Sequence, residues 1–202
     1  QQRAFAAMQN NNAGQIIVPT GGGKTYIMIA DAYKHLRDSG PQTIVVVAPR
    51  ILLANQLCEE FMEHIHHRDV HVCHAHSGET HYFSSTKPEK IALFNNTARA
   101  AGENCIIFTT YHSLHRVVDS GIDINTIYFD EAHNGTAKSF FRSVFATAQY
   151  VQRRYYFTAT PKTGRGVSVA RGMNNTTVWG GVLENVPAQE LIAAGAIVPP
   201  KV

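Results

Sequence analysis

The feature that most constrains this chain is a short apolar run, Ile16-Ile17-Val18, passing straight into Pro19-Thr20-Gly21-Gly22-Gly23-Lys24-Thr25. Three successive glycines let the backbone turn tightly with its N–H groups pointing inward. A helix starting near Lys24 would add its positive end. A strand, turn and helix of this kind suits a polyphosphate. Thr20, Gly21, Gly22 and Gly23 would cradle it, Lys24 would reach the outer phosphates, and the Thr25 hydroxyl would ligate magnesium. The strict phosphate-loop pattern puts a glycine where Val18 stands, so that signature is not met. The competing reading is a glycine-rich turn that binds nothing. An acidic motif, Asp130-Glu131-Ala132-His133, follows the apolar run Ile127-Tyr128-Phe129. Asp130 suits magnesium, and Glu131 suits orienting and deprotonating a water. Paired with the glycine turn, these acids imply a nucleoside triphosphate.

Elsewhere apolar runs alternate with helical stretches. Helices are expected at 1–9, 24–37, 88–100, 111–118, 137–148 and 186–194, and Leu53, Leu57, Phe61 and Ile65 recur as the inner face of another. Strands are expected at 16–18, 43–47, 69–75, 105–109, 127–129 and 155–158, and 164–175 reads as loop. The run Thr43-Ile44-Val45-Val46-Val47 suits a strand buried on both faces. The alternation predicts an α/β fold: a mostly parallel central sheet with helices on both faces and right-handed crossovers. Ligands of such sheets collect at the carboxyl ends of the strands. Each motif follows a strand, so the motifs should converge on one edge.

At 202 residues the chain is long enough for one domain with a real core. A formal charge of +3 permits a nucleic-acid partner without demanding one. The three cysteines, Cys58, Cys73 and Cys105, are odd in number and widely spaced, so no disulfide framework is expected and a reducing compartment is the default. No apolar stretch approaches the length of a membrane span, and no signal-peptide pattern is present. The chain begins at Gln1 inside a helical stretch, as an excised piece of a longer protein would.

Taken in order, these motifs resemble the first RecA-like domain of superfamily-two helicases and translocases, a P-loop NTPase fold. The turn at 19–25 is similar to the family's first motif, in its Pro-Thr-Gly-x-Gly-Lys-Thr form. Ala48-Pro49-Arg50 with Leu52-Leu53 and Gln56 resembles the next, and Phe108-Thr109-Thr110-Tyr111 the one after. The resemblance implies that Pro49, Arg50, Gln56, Thr109, Thr110 and Tyr111 lie on a nucleic-acid track. Asp130 to His133 looks like the DEAH form of the second ATPase motif. Phe157-Thr158-Ala159-Thr160-Pro161 resembles the third, whose threonines, Thr158 and Thr160, the family couples to His133. The Thr-Ala-Thr-Pro form and the tail from Glu190 to Pro200 look most like the type III restriction-enzyme helicase group. Gln1 is similar to the family's adenine-reading glutamine, with Gln2 as the alternative. The segment Lys162-Thr163-Gly164-Arg165-Gly166 departs from the family's pattern and takes no role.

The resemblance implies one domain over 1–202, with 186–202 as its exit toward a second RecA-like domain. ATP and magnesium are the implied cofactors. Lys24, Asp130 and Glu131 are the expected catalytic residues, and Thr25 and Asp130 would hold the metal. DNA is favoured over RNA, and the location is cytoplasmic or another reducing compartment, nucleoid or nucleus included. The arginine fingers of the resembled family come from the second domain, so this chain should bind ATP but turn it over poorly. Other readings are a P-loop kinase or transport ATPase, or a non-catalytic nucleotide-binding module. The first offers no reason for Asp-Glu-Ala-His followed by Thr-Ala-Thr-Pro.

Seven histidines, at 64, 66, 67, 71, 74, 76 and 81, crowd around Cys73. Zinc is a possible reading of that cluster. In a strand, however, His71 and Cys73 face one side while His74 and His76 face the other, which splits the ligands, and no Cys-x-x-Cys pair is present. Zinc is therefore not expected.

Overall fold

The alternation resolves into one parallel sheet with a helical layer on each face. The structure is a computed structural model and describes residues 1–65, 69–165 and 168–199. Its strands are β1 (Ala13–Ile17), β2 (Thr43–Ala48), β3 (Val70–Ala75), β4 (Phe83–Ser84), β5 (Asn104–Thr110), β6 (Thr126–Phe129), β7 (Arg153–Thr158) and β8 (Val182–Asn185). Their order is β4-β3-β5-β2-β6-β7-β1-β8, and every pairing is parallel. The helices are α1 (Gln2–Asn10), α2 (Lys24–Asp38), α3 (Ile51–Ile65), α4 (Pro88–Ala100), α5 (Leu114–Asp119), α6 (Lys138–Tyr150), α7 (Thr176–Trp179) and α8 (Ala188–Ala193), with a 3₁₀ turn at Ala132–Thr136.

Two apolar cores follow from the period of two along each strand. Ile44, Val46, Phe108, Tyr128 and Phe157 point to one face and pack against Met8 of α1, Met28 of α2 and Phe61 of α3. Val45, Val47, Ile107, Phe129 and Tyr156 point to the other, against Ile91 of α4, Leu114 of α5, Val144 of α6 and Trp179 of α7. β2 lies between β5 and β6 and is buried along its whole length, as its β-branched run predicts.

Some elements differ from expectation. β1 covers 13–17 rather than 16–18, because Gly14 and Gln15 also pair with β7. Gln15 is buried, and its amide donates to the carbonyls of Met173 (2.8 Å) and Gly180 (2.9 Å). A polar residue with internal partners hides that part of the strand from an apolar pattern. β4, β8, α7 and the 3₁₀ turn were not expected. Both strands lie at the sheet edges, where a buried alternation is not required.

A buried polar network ties the elements that carry the motifs. Asp31, on the inner face of α2, is fully buried. It accepts hydrogen bonds from Arg153 Nη2 at 2.8 and 3.0 Å and from Gln9 Nε2 at 2.7 Å, and the Tyr128 hydroxyl donates to it as well. One carboxylate therefore links α1, α2, β6 and β7.

Candidate functional site

β1 hands over to the glycine turn beside the end of β7, where the Val18 N–H donates to the Thr158 carbonyl at 3.0 Å. Gly22 N–H closes the turn on Pro19 O at 2.9 Å. Gly21 and Gly23 have φ of 80° and 85°, in the left-handed region that favours glycine. A side chain at Gly22 would overlap Val18, and one at Gly23 would overlap the Gln1 amide. The turn thus needs all three glycines, and Gln1 lies directly against it. α2 begins at Lys24 with its N–H groups at this turn.

β6 delivers the acidic motif to the same edge. Asp130 N–H donates to Val47 O at 2.8 Å. Glu131, with φ of 47°, is the positive-φ non-glycine residue among the described residues. Such a backbone costs on the order of 1 kcal/mol and persists only where neighbours hold it. Here the Tyr111 hydroxyl donates to Asp130 O at 2.7 Å, and Asn134 Nδ2 donates to Glu131 O at 2.8 Å. Asn134 was not anticipated, although an asparagine three residues past a strained acid is a local signal for this kind of carbonyl contact.

The turn and the acids meet. Lys24 Nζ forms an ion pair with the Glu131 carboxylate and lies 3.8 Å from Asp130 Oδ1. Burial pushes the Asp130 carboxyl above its usual range, against the attraction of Lys24. His133 Nδ1 lies 3.6 Å from Glu131 Oε2 and within hydrogen-bond distance, 2.8 Å, of Thr158 Oγ1. That hydroxyl accepts the Thr160 N–H at 3.1 Å. Burial lowers the His133 pKa, which favours the neutral ring at this contact. Lys24, Asp130, Glu131, His133, Thr158 and Thr160 thus form one connected constellation. Thr25 follows Lys24 in the first turn of α2, and Thr20 is exposed on the glycine turn.

The residues assigned to the track are placed less uniformly. Arg50 and Gln56 are exposed and Pro49 is half-buried, at the carboxyl end of β2 and the start of α3. Thr109, Thr110 and Tyr111 are buried. The Thr109 hydroxyl donates to Ala75 O at 2.8 Å, and Thr110 Oγ1 accepts the Ser113 N–H at 3.3 Å. In this structure their side chains brace the edge. Through Tyr111 they also reach the backbone of the acidic motif.

The histidine cluster divides. His71 pairs with Glu103, His64 and His81 are exposed, and His66 and His67 lie outside the described residues. Among the described residues no group of three or more His, Cys, Asp or Glu is arranged to hold a metal ion. His74 and His76 are buried and share a hydrogen bond of 2.9 Å between His74 Nδ1 and His76 Nε2. Gly78 N–H donates to His76 Nδ1 at 3.1 Å, so His76 Nε2 carries the proton and His74 Nδ1 accepts it. This arrangement requires neutral rings. Burial lowers the His74 pKa from 6.5 to about 4, with His76 as a secondary cause, and burial lowers His76 as well. The unfolded chain takes up protons here below about pH 6.5 while the folded chain does not until about pH 4. Stability contributed by the neutral pair is therefore full above that window and is lost as pH falls through it. His74 alone is expected to cost about 2 kcal/mol between pH 7 and pH 5. Thermal melts should register this loss, and His74→Phe should flatten it. Melting points equal at pH 7 and pH 5 would contradict the assignment.

Residues 1–163 match the family described as the type III restriction enzyme, res subunit. A comparison with curated protein sequences finds no significant match. Similar solved structures include a nuclease-deletion mutant of the Type ISP restriction-modification enzyme LlaGI in complex with a DNA substrate mimic (TM-score 0.77, 20% identity, covering 96% of this chain and 20% of that one). The ATP-dependent Type ISP enzyme LlaBIII bound to DNA is a second (TM-score 0.75, 18% identity, 96% and 15%). The UvsW helicase from bacteriophage T4 is a third (TM-score 0.62, 12% identity, 91% and 59%). The chain therefore spans a fifth or less of the two restriction enzymes. At these identities the likeness establishes the RecA-like α/β fold.

Proposed function

This chain belongs to the family of the type III restriction enzyme res subunit, and from that membership we propose that it is the ATP-binding first RecA-like domain of a nucleic-acid-dependent helicase or translocase. The observation that carries this reading is the double tie on the acidic motif. Lys24 of the glycine turn holds Glu131 on one side, and His133 meets Thr158 of the third motif on the other. A P-loop kinase or transport ATPase has no use for the second tie.

In this reading ATP lies on Thr20 to Thr25, with Gln1 at the adenine; the packing of Gln1 against Gly23 supports that role. Two carboxylates face one ammonium, and burial disfavours charge on Asp130. The site is short of positive charge, which fits a magnesium ion held by Thr25 and Asp130. Such an ion, when bound, polarises phosphate oxygens as a Lewis acid. Incoming phosphates draw Lys24 away from Glu131 by charge-assisted hydrogen bonds. The freed Glu131 carboxylate then orients and deprotonates the attacking water. His133 and Thr158 carry the change at the acids to the end of β7, and Tyr111 carries it toward β5.

We read Asp130–His133 as a DEAH box and residues 1–202 as one domain, with 186–202 leading toward a second RecA-like domain. Leu191 packs near Gly22 and Ile197 near Gly21, which supports counting that exit as part of the nucleotide site. In this reading the arginines that complete catalysis come from a second RecA-like domain, so turnover by residues 1–202 alone is slow. DNA is preferred to RNA because two similar enzymes were solved with DNA or a DNA mimic. Among the described residues no helix is long and apolar enough to cross a membrane. The three cysteines are free and buried, which fits a reducing compartment such as the cytoplasm.

The nucleic-acid half of the proposal is tested at Arg50, whose exposed guanidinium would take a backbone phosphate. Arg50→Ala should weaken binding evenly across sequences and reduce the dependence of log affinity on log salt by about 1. A loss confined to one sequence would argue against a backbone contact.

A further inference from the structure

The segment between Glu131 and Glu184 contains no aspartate or glutamate, yet it holds seven of the chain's 18 lysines and arginines and none of its 15 acids. The rest of the chain is therefore net acidic, and the positive charge is segregated in this one stretch. Arg153 and Arg154 lie at the amino end of β7, and Arg153 is held by Asp31. The other five are Lys138 and Arg142 on α6 and Lys162, Arg165 and Arg171 in the loop after β7. Among the described residues none of these five forms an ion pair.

Four of the five lie around the 3₁₀ turn that follows the acidic motif. Lys138 and Arg142 are exposed one turn apart at the amino end of α6, next to the 3₁₀ turn of the acidic motif. Lys162 and Arg171 line a cavity of about 430 Å³ together with Thr136, Thr163 and Ser168, and no carboxylate lines it. Arg171 Nε is anchored on Thr136 O at 3.3 Å, which holds the guanidinium at the cavity wall. Lys162 follows the third motif directly, and its ammonium is near enough to His133 to add to the burial that disfavours protonation there.

We propose that the carboxylate-free Lys162–Arg171 cavity, with the exposed Lys138–Arg142 pair on α6, binds nucleic-acid backbone phosphates as a second contact beyond the Arg50 track. The inference rests on the nucleic-acid reading above. β2, which ends at Arg50, and β7, which leads to Lys162, are separated by β6 alone. Two strand spacings are about 10 Å, roughly three base-pair rises of a duplex. The separation is therefore within the length of a short duplex. Cations without carboxylate partners keep their full charge for phosphate, and the Thr163 hydroxyl on the cavity wall can donate to it. This assigns a purpose to Lys162, which opens a segment that departs from the resembled family's pattern.

The test is a salt series of fluorescence anisotropy titrations with a labelled DNA duplex. Wild type is compared with Lys162→Ala/Arg171→Ala, with Lys138→Glu/Arg142→Glu and with Arg50→Ala. The first double variant should reduce the salt slope by about 0.9 for each lost phosphate contact, hence by about 1.8. The exposed α6 pair should also weaken binding. Nucleotide binding by both should stay at the wild-type level, which separates lost contacts from lost folding. If both double variants bind DNA as wild type does while Arg50→Ala is impaired, the second surface is overturned and the Arg50 track stands. If wild type binds no DNA even at low salt, the nucleic-acid reading falls and this surface with it.

Discussion

Asp31→Ala is expected to destabilise the chain by about 3–5 kcal/mol, the range for breaking a buried ion pair by removing one partner. The Arg153 guanidinium would lose both its carboxylate contacts, at 2.8 and 3.0 Å, while its side chain stays only 15% exposed. Gln9 Nε2 and the Tyr128 hydroxyl would lose their acceptor as well. In a chain of this size each kcal/mol moves the melting point by about 2–4 °C, so a fall of roughly 6–20 °C is expected. Adding Arg153→Met should recover much of it, since an apolar replacement of both partners removes the uncompensated charge. A loss below about 1 kcal/mol for the single variant would show that the network is not a structural tie. The tie matters for function because α2 carries Lys24, β6 carries Asp130 and β7 carries Thr158.

Much of this architecture was legible in the residues. The apolar run at 43–47 predicted a strand buried on both faces, and β2 is one. Placing each motif after a strand predicted convergence, and Lys24 does meet Glu131 across 107 positions of sequence. What was hidden depends on partners far along the chain. Gln15 breaks the apolar pattern of β1 because its amide bonds to carbonyls 158 and 165 residues away. Asp31 looks like a surface acid on a helix until Tyr128 and Arg153, 97 and 122 residues later, arrive at its inner face. The edge strands β4 and β8 carry exposed or half-buried residues and so left no alternation to read. Tyr111 is legible as part of a motif, yet its hydroxyl contact to Asp130 O is set by packing.

Lys24→Ala is expected to weaken nucleotide binding about 100-fold. A charge-assisted contact to phosphate is worth roughly 3 kcal/mol, and each 1.4 kcal/mol is a factor of about ten. Lys24 is half-buried at the start of α2, directly after the glycine turn, with its ammonium on the acidic motif. Its removal also leaves Asp130 and Glu131 without their shared cation, which repels an incoming polyphosphate further. Calorimetric titration of ATP with magnesium into the wild-type chain and into Lys24→Ala, with released phosphate assayed on the same samples, tests the account most directly. It predicts one nucleotide bound per wild-type chain, little phosphate released, and an affinity about 100-fold lower in the variant. Equal affinity in the two proteins, or no nucleotide bound by the wild type, would contradict it.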